Sequence, residues 1–335
     1  MTPVVSAAAR IDRGDGAEAL LALGALPATV AAALAAAPTL AAAVPLPGSG
    51  RTAERLEALA TLGAHDLEVA RAIEPHLDAV AILAEAGLAP GAGAYGVFAA
   101  EGPGARLELR DGRLSGEKPW CSLADRLDRA LVSAWQGEER VLVDVDLRQP
   151  GVQVVPGAWH ARGLTGIPSG PVRFDGVPAE SVGEPGWYLR RPGFAWGGIG
   201  VAACWHGGAV ATARRLLGAA GDAPLRLAHL GAIDEALTAS RLALADAAGR
   251  IDDEDATVAP GLLALRTRGI VARAAEETLT RVAHALGPAP LALEAEHARR
   301  VADLQLYVRQ HHAERDQASL GAEVQAGAAE GTSPW

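Results

Sequence analysis

Cysteine and aromatic residues are scarce in this chain of 335 residues. The two cysteines, Cys121 and Cys204, are distant in sequence and provide neither a disulfide framework nor the spacing of a zinc site. Aromatic residues make up only 4% of the chain, whereas half of the residues are apolar and many of these are alanine. We therefore expect a core of leucine, valine and alanine in closely packed helices, with both cysteines buried in a protein of a reducing compartment.

The chain also lacks an excess of basic residues. Its formal net charge is −10 and its pI is about 5.4, which argues against a nucleic-acid-binding protein because such a protein needs a basic face. The sequence contains no Gly-rich dinucleotide-binding fingerprint and no P-loop. It has no Cys or His spacing typical of metal ligands, so we expect no metal site.

Strongly hydrophobic runs are absent as well. The apolar stretch 19–46 is dominated by alanine and interrupted by Pro27, Pro38 and Pro45, which indicates helices of a soluble domain and not a membrane span. The N-terminus shows no basic region followed by an apolar run and a cleavage site. We expect a cytoplasmic protein without a membrane span.

The period of the hydrophobic residues changes twice along the chain. Apolar residues recur at helical spacing at both ends, and they alternate with a period of two in the middle. A chain of this length exceeds the usual size of a single hydrophobic core. The pattern predicts an α+β fold with an N-terminal helical domain (1–90), a small antiparallel β middle domain (91–185), a C-terminal four-helix bundle (186–321) and a disordered tail (322–335).

Two short segments of the predicted middle domain offer groups that suit a flat heterocycle. The turn Glu101-Gly-Pro-Gly104 exposes backbone N–H groups that can bind carbonyl or phosphate oxygens. The segment Lys118-Pro-Trp120-Cys-Ser122 has the pattern of a strand, so Trp120 and Ser122 should project from the same face. An indole and a neighbouring hydroxyl could hold a planar ring. On the pattern alone, a hairpin with a half-buried tryptophan explains the same residues.

The stretch Gly112-Arg-Leu-Ser-Gly-Glu-Lys-Pro-Trp-Cys-Ser-Leu-Ala124 resembles the flavin-facing strand of the acyl-CoA dehydrogenase family. In that family a Thr-Glu-Pro-x-x-Gly-Ser turn and a Lys-x-Trp/Ile-x-Thr/Ser strand hold the isoalloxazine ring of FAD. The resemblance implies that Trp120 packs beside the flavin and that Ser122 hydrogen-bonds near its reactive nitrogen. The turn residues that would contact the ring edge are Ala100, Glu101 and Gly104.

The chain differs from the family at the catalytic base. Acyl-CoA dehydrogenases remove an α-proton with a glutamate that follows an Arg-Asp helix, and His297-Ala-Arg-Arg-Val-Ala-Asp303 resembles that helix. Aligning Asp303 with the family's aspartate places His311 where the glutamate would stand, and an imidazole can serve as a base near neutral pH. Two alternatives are that His311 lies on the solvated face of a helix over 294–319 and that His206 is the base instead.

The resemblance implies a reaction and its partners. The reaction is α,β-dehydrogenation of an acyl-CoA or another acyl thioester, with an electron-transfer partner and a homo-oligomer formed through the bundle. Two departures keep alternatives open: a loop that is Gly-rich in the family is Ala285-Leu-Gly-Pro-Ala-Pro290 here, and an arginine-containing connection is shortened to 218–224. The alternatives are a flavin-dependent monooxygenase of the same fold and a catalytically inactive family member that acts as a binding or assembly partner.

Overall fold

The computed structural model describes residues 8–11, 16–22, 24–254, 257–329 and 331. Helices near the N-terminus are α1 (Gly16–Ala22), α2 (Val30–Ala43), α3 (Thr52–His65) and α4 (Leu67–Glu85). The strands are β1 (Tyr95–Phe98), β2 (Leu107–Arg110), β3 (Arg113–Lys118), β4 (Arg129–Gln136), β5 (Glu139–Asp146), β6 (Val152–Val154), β7 (Val172–Pro178) and β8 (Glu180–Ser181). Helices after the sheet are α5 (Trp187–Arg190), α6 (Pro192–Leu217), α7 (Pro224–Asp252), α8 (Pro260–Leu286), α9 (Pro288–Leu293), α10 (Ala295–Tyr307) and α11 (Glu314–Ala329), with a 3-10 turn at Val308–Gln310.

This order of elements confirms the predicted α+β fold class, which is helical at both ends and has a sheet between them. The strands form one sheet in the order β6-β7-β3-β2-β4-β5-β8, and β1 also pairs with β4. Most neighbouring strands run antiparallel, including the eight-residue register of β4 with β5. The pairings of β1 and β2 with β4 are parallel, so the sheet is more mixed than the sequence predicts.

The central strand β4 is the element that the sequence pattern does not reveal. Its residues from Ala130 to Ala134 are buried without interruption. A strand that is covered on both faces has no alternation of apolar and polar residues. The period of two that identifies β2 and β5 is therefore missing from β4.

The chain divides into two compact units. The first unit contains the described residues of Met1–Leu26, Pro45–Ala70 and Ala195–Trp335, and the second contains Pro27–Val44 and Arg71–Phe194. The predicted domain boundaries after residues 90, 185 and 321 concern independent folding and stay a prediction.

Close packing of α3 against α6 forms part of the core of the first unit. A Cβ atom on Gly207 of α6 would overlap the carbonyl oxygen of Ala60 in α3, and one on Gly63 of α3 would overlap that of Cys204. Only glycine permits this approach of two backbones. The glycine at position 207 of α6 is therefore explained by the close approach of a second helix.

The second unit has a separate apolar core between α4, the sheet and α5. Its fully buried side chains include Ile82 of α4, Tyr95 of β1 and Leu142 of β5, with Val182 and Tyr188 beyond β8. The buried hydroxyl of Tyr95 donates a hydrogen bond to Asp144 Oδ2 at 3.0 Å. This core fixes β1, β4 and β5, on which the candidate site rests.

The predicted helix over 294–319 is interrupted in the structure. α10 ends at Tyr307, and His311 lies in the connection to α11 with extended backbone (φ −84°, ψ 122°). His311 is only 6% exposed, so the alternative that places it on a solvated helical face is wrong. α11 continues to Ala329, so residues 322–329 are helical where the sequence predicts disorder, as their alanine and glutamate content allows. The rest of that predicted tail, except residue 331, lies outside the described residues.

Membrane insertion is not supported by any described helix. None of the helices in the described ranges combines the length and the hydrophobicity that crossing a bilayer requires.

The buried imidazole of His206 in α6 predicts acid sensitivity. Its Nδ1 lies 2.9 Å from Ser240 Oγ, and burial, helped by Arg241, lowers its pKa to about 4. An unfolded chain takes up this proton near pH 6.5, so between those values the unfolded state binds more protons and stability falls as the pH falls.

We expect His206→Asn to reduce this pH dependence, because asparagine can keep the bond to Ser240 and does not titrate. Between pH 6.5 and 5 the variant should lose about 2 kcal/mol less unfolding free energy than the wild type. Denaturant titrations at both pH values measure the difference. His76, whose pKa burial also lowers to about 4, leaves a residual dependence in both proteins. Equal losses would contradict the assignment.

Candidate functional site

Trp120 lies in a turn just beyond the end of β3, in the second unit. β3 ends at Lys118, so the prediction that Trp120 and Ser122 share one strand face is wrong. The indole of Trp120 is 58% exposed, whereas Ser122 is buried. More than half of the surface of this large side chain is therefore free to contact a ligand.

The backbone of this turn is strained. The φ angles of Trp120 and Leu123 are 59° and 58°, in the left-handed region that bulky residues rarely adopt. Such a conformation costs about 1–3 kcal/mol per residue and persists only where the surroundings impose it. Here the N–H of Cys121 donates to Gly170 O at 3.0 Å and the N–H of Leu123 donates to Pro168 O at 2.8 Å. The neighbouring segment 168–170 therefore holds Trp120 outward.

The hydroxyl of Ser122 points inward and is already used. It accepts a hydrogen bond from Arg71 Nη2 at 3.0 Å and lies 2.7 Å from Ser169 Oγ. Ser169 donates its own proton to Ile167 O at 3.1 Å. Since each hydroxyl has one proton, Ser122 must donate to Ser169. In this arrangement Ser122 has no proton left for a ligand.

The cavity on the inner side of Ser122 is very small. It has a volume of about 10 Å³ and is lined by Arg71, Tyr95, Phe98 and Leu127, among others. That volume is about one water-sized probe. A planar ring therefore does not fit in this cavity, whereas the side on which Trp120 lies is exposed.

A buried lysine joins the two predicted ring-binding segments. Lys118 is 1% exposed, and its ammonium donates to Glu101 Oε1 at 2.5 Å and to Ser133 Oγ at 2.8 Å. Arg140 lies 2.8 Å from the same Glu101 oxygen. Burial lowers the pKa of Lys118, and the hydrogen bond to Glu101 opposes that shift. The pairing of Lys118 with Glu101 ties the loop before β2 to the end of β3.

The other predicted turn residues lie in that same loop. Ala100 and Glu101 are exposed, and Gly104 has a φ of 76° with open space beside its Cα. The loop touches the tryptophan segment at Gly102, where a Cβ would lie 3.1 Å from Pro119 Cγ. The structure thus places the turn beside the backbone that carries Trp120.

His311 belongs to the first unit. Its Nδ1 accepts a hydrogen bond from the N–H of Ala313 at 3.3 Å, and its Nε2 lies 3.9 Å from an oxygen of Asp316. Burial lowers the pKa of His311, Asp316 opposes the shift and Arg268 adds to it. The imidazole is therefore neutral at pH 7, and the bond from Ala313 selects the tautomer that carries its proton on Nε2.

His206 is a core histidine bonded to Ser240, as described above. In the ranges that the structure describes, no cluster of three or more His, Cys, Asp or Glu side chains could hold a metal ion. Sequence reasoning missed the partners that orient the predicted residues, namely Arg71, Ser133, Arg140, Ser169 and Asp316. No local sequence signal identifies them, because each pairing depends on tertiary contacts.

Comparison with solved structures identifies the fold. The nitrososynthase from Micromonospora carbonacea var. africana has a TM-score of 0.75 and 19% identity, with 96% of this chain and 99% of that chain covered. The butyryl-CoA dehydrogenase from Megasphaera elsdenii has a TM-score of 0.72 and 16% identity, with 82% of each chain covered. The chain has the acyl-CoA dehydrogenase fold.

Another structure with the acyl-CoA dehydrogenase-like fold was solved with a flavin. TdsC from Paenibacillus sp. A11-2, bound to FMN, has a TM-score of 0.71 and 17% identity, with 92% of this chain and 96% of that chain covered. No family model matches this sequence, and no curated protein is similar to it at the sequence level. At these sequence identities, the similarity shows a shared fold alone.

Removing one partner of the Lys118–Glu101 pair should cost more stability than removing the other. We expect Glu101→Gln to destabilise the second unit by about 2 kcal/mol, because it leaves a buried ammonium without its counter-ion. Lys118→Met should cost less, because it removes that ammonium while Glu101 keeps Arg140. Urea unfolding followed by tryptophan fluorescence measures both.

The matched control is Glu117→Gln, which breaks an exposed ion pair with Arg173 and should change stability by less than about 0.5 kcal/mol. A Lys118→Met variant that is less stable than Glu101→Gln would show that the lysine itself, and not its pairing, holds the loop.

Proposed function

We propose that the protein is a flavin-dependent oxidoreductase whose ring-binding surface includes Trp120. The observation that carries the proposal is the exposed indole, held outward by a strained turn beside the loop that contains Glu101. Strain that the surrounding structure maintains is characteristic of ligand-binding positions. A planar aromatic ligand would cover this indole and remove its apolar area from water.

The residues present fit a flavin on one side of the segment. Trp120 would pack against the ring, and the backbone of Ala100, Glu101 and Gly104 would contact its edge. A bound flavin would supply the two-electron redox chemistry that protein side chains lack. Ser122 would take part only if its hydroxyl turned away from Ser169, since its proton is donated there.

The structurally similar proteins support a flavin cofactor, but they do not distinguish FAD from FMN. TdsC and KijD3 were each solved with FMN, whereas the resemblance of residues 112–124 implies FAD. We keep FAD as the narrower proposal. The loop over 285–290 lacks the glycines that lie near the phosphates in FAD enzymes, so a direct comparison of both flavins is part of the test.

Two reactions fit a flavoenzyme of this fold. The first is α,β-dehydrogenation of an acyl thioester, for which His311 would have to accept the α-proton. The tautomer selected by Ala313 carries its proton on Nε2, and the other nitrogen already accepts a hydrogen bond. His311 could act as the base only after it exchanged that tautomer and gave up the bond from Ala313.

The second reaction is oxygen-dependent monooxygenation, and the geometry of His311 favours it. Neutral His311 offers an N–H donor, which suits positioning of a polar group and not removal of a proton from carbon. The partner would then be a reductase, whereas dehydrogenation requires an electron-transfer protein that accepts electrons.

The assembly and the location of the protein do not depend on which reaction it catalyses. We propose a homo-oligomer assembled through the C-terminal helices and a cytoplasmic location, as the sequence predicts. If the purified protein bound neither FAD nor FMN, the third alternative, an inactive protein with a binding or assembly role, would replace the enzymatic proposal.

Replacing Trp120 tests the ring-binding surface. We expect Trp120→Ala to weaken flavin binding about tenfold or more, because it removes the aromatic contact, whereas Trp120→Phe should retain most of the affinity. Fluorescence titration of the purified protein with FAD and with FMN measures both. Val154→Ala removes an exposed apolar side chain of β6 in the same unit and serves as the control, with unchanged affinity. Equal flavin affinity of Trp120→Ala and the wild type would contradict the assignment.

Anaerobic mixing with butyryl-CoA separates the two reactions. We expect no loss of flavin absorbance, because no atom of His311 is free to remove the α-proton. Oxygen consumption should instead require an added NADH-dependent flavin reductase. Rapid anaerobic bleaching by butyryl-CoA would contradict this choice and restore dehydrogenation as the reaction.

A further inference from the structure

A pocket lies between α8 and the start of α11, within the first unit. Its volume is about 140 Å³. One face of α8 contributes residues at positions 266, 269, 270 and 273, a helical spacing of three and four. The lining on the other side is formed by His311, from the connection after α10, and by Asp316, Gln317 and Leu320 of α11.

Two arginines line this pocket without being paired. Across the described ranges, the guanidinium groups of Arg266 and Arg273 have no hydrogen-bond or ion-pair partner. The nearby charged groups differ in this respect. Arg268 donates to the carbonyls of Gly198 and Gln310, and Arg309 pairs with Glu276.

His311 adds a third donor. Its side chain is more than nine-tenths buried, and with Nδ1 used by Ala313 the proton lies on Nε2. Asp316 is 3.9 Å from Nε2, which is too far for a hydrogen bond. This N–H is therefore available to an acceptor inside the pocket.

The one carboxylate of the lining is already hydrogen-bonded by its neighbour His312. Asp316 accepts hydrogen bonds from both the backbone N–H of His312, at 3.1 Å, and its Nδ1, at 3.2 Å. Burial alone would raise the pKa of Asp316, but these hydrogen bonds lower it below its usual value. With two guanidinium groups and one carboxylate, the lining carries a net charge of about +1, which matches a single negative charge.

Gly269 keeps the space between the donors open. A Cβ at this position would lie 3.7 Å from Arg273 Nη1 and 3.8 Å from His311 Nε2. Both nitrogens thus border the same small volume above the helix backbone. An added methyl group would fill that volume at ordinary contact distances, without a clash.

Apart from Gln317, the rest of the lining is apolar. Leu265, Ile270 and Leu320 form walls around the donors. An apolar cavity of about 150 Å³ accommodates benzene, so this pocket has room for a group of that size. Donors at one place and apolar walls around them suit an acid with a small hydrophobic body.

We propose that this pocket binds a small organic monocarboxylate, with its carboxylate held by Arg266, Arg273 and His311 and its apolar part against Leu265, Ile270 and Leu320. Charge-assisted bonds from guanidinium to carboxylate are the strong interactions in such a site. The site is built wholly from the first unit, and the proposal does not depend on flavin binding.

Calorimetric titration of the full chain at pH 7.5 and low ionic strength, with sodium benzoate as the probe, tests the proposal. We expect saturable binding of one benzoate per chain, both with and without added flavin. Benzyl alcohol has a similar size and no charge, and it should bind at least about tenfold more weakly. Inorganic phosphate should also bind more weakly, because it has no apolar part.

Two glycine-to-alanine variants of α8 form a matched pair, one inside the pocket and one outside it. Gly269→Ala should weaken benzoate binding at least about tenfold, because the methyl group occupies the space between the donors. Alanine also favours the helix, so this variant should fold as well as the wild type. Gly261→Ala makes the same change on the same helix in open space and should leave the affinity unchanged.

A second set of variants does not depend on filling the pocket. Arg266→Gln with Arg273→Gln should reduce benzoate affinity about tenfold or more, whereas His311→Gln, which keeps an N–H donor, should reduce it less than His311→Ala. The proposal is overturned if wild-type protein shows no saturable benzoate binding, if Gly269→Ala binds benzoate like Gly261→Ala, or if phosphate or benzyl alcohol binds as tightly as benzoate.

Discussion

The burial of one positive charge, the ammonium of Lys118, determines the geometry of the candidate flavin surface. A buried ammonium must be paired and hydrogen-bonded, and Lys118 finds Glu101 and Ser133. Glu101 stands in the loop before β2, so this pairing holds that loop against the end of β3. The next residue, Pro119, packs beside Gly102. The hydrogen bonds of Cys121 and Leu123 to the segment 168–170 then hold Trp120 outward.

The same segment shows how a motif can bring two segments together and still mispredict the direction of a side chain. The run from Gly116 to Ser122 predicts a strand, whereas the structure has a turn after Lys118, with the loop that contains Glu101 next to it. The indole is exposed as ring packing requires, but the hydroxyl of Ser122 belongs to a closed chain of donors from Arg71 to Ile167. A strand would have put both side chains on one face, whereas a left-handed backbone at Trp120 separates them.

Local periodicity predicts most of the architecture, because the apolar residues of β2, β5 and the long helices repeat with the period of their element. It fails in β4, whose sequence has no regular alternation, and where a helix ends without Pro or Gly, as α10 does at Tyr307. The partners of the site residues cannot be predicted either. Ser133 and Arg140 reach Glu101 only because β4 and β5 pair in one particular register, and register is a property of the folded sheet.

His311 illustrates how a residue can match a family position and still differ in chemistry. Its place after the Arg-Asp helix suggests a base, and burial keeps it neutral as a base must be, but Ala313 occupies its unprotonated nitrogen. What remains is a donor, beside two arginines that have no partner in the described part of the chain. The first unit therefore has a candidate acid-binding pocket, and the second unit has the aromatic surface on which the flavin proposal depends.

The most direct test of the central claim is a crystal structure of the protein grown with a flavin. We predict that the isoalloxazine ring contacts the indole of Trp120, with the loop from Ala100 to Gly104 at its edge and the Lys118–Glu101 pair intact. A flavin that lies away from Trp120, with the indole still exposed to solvent, would contradict the account.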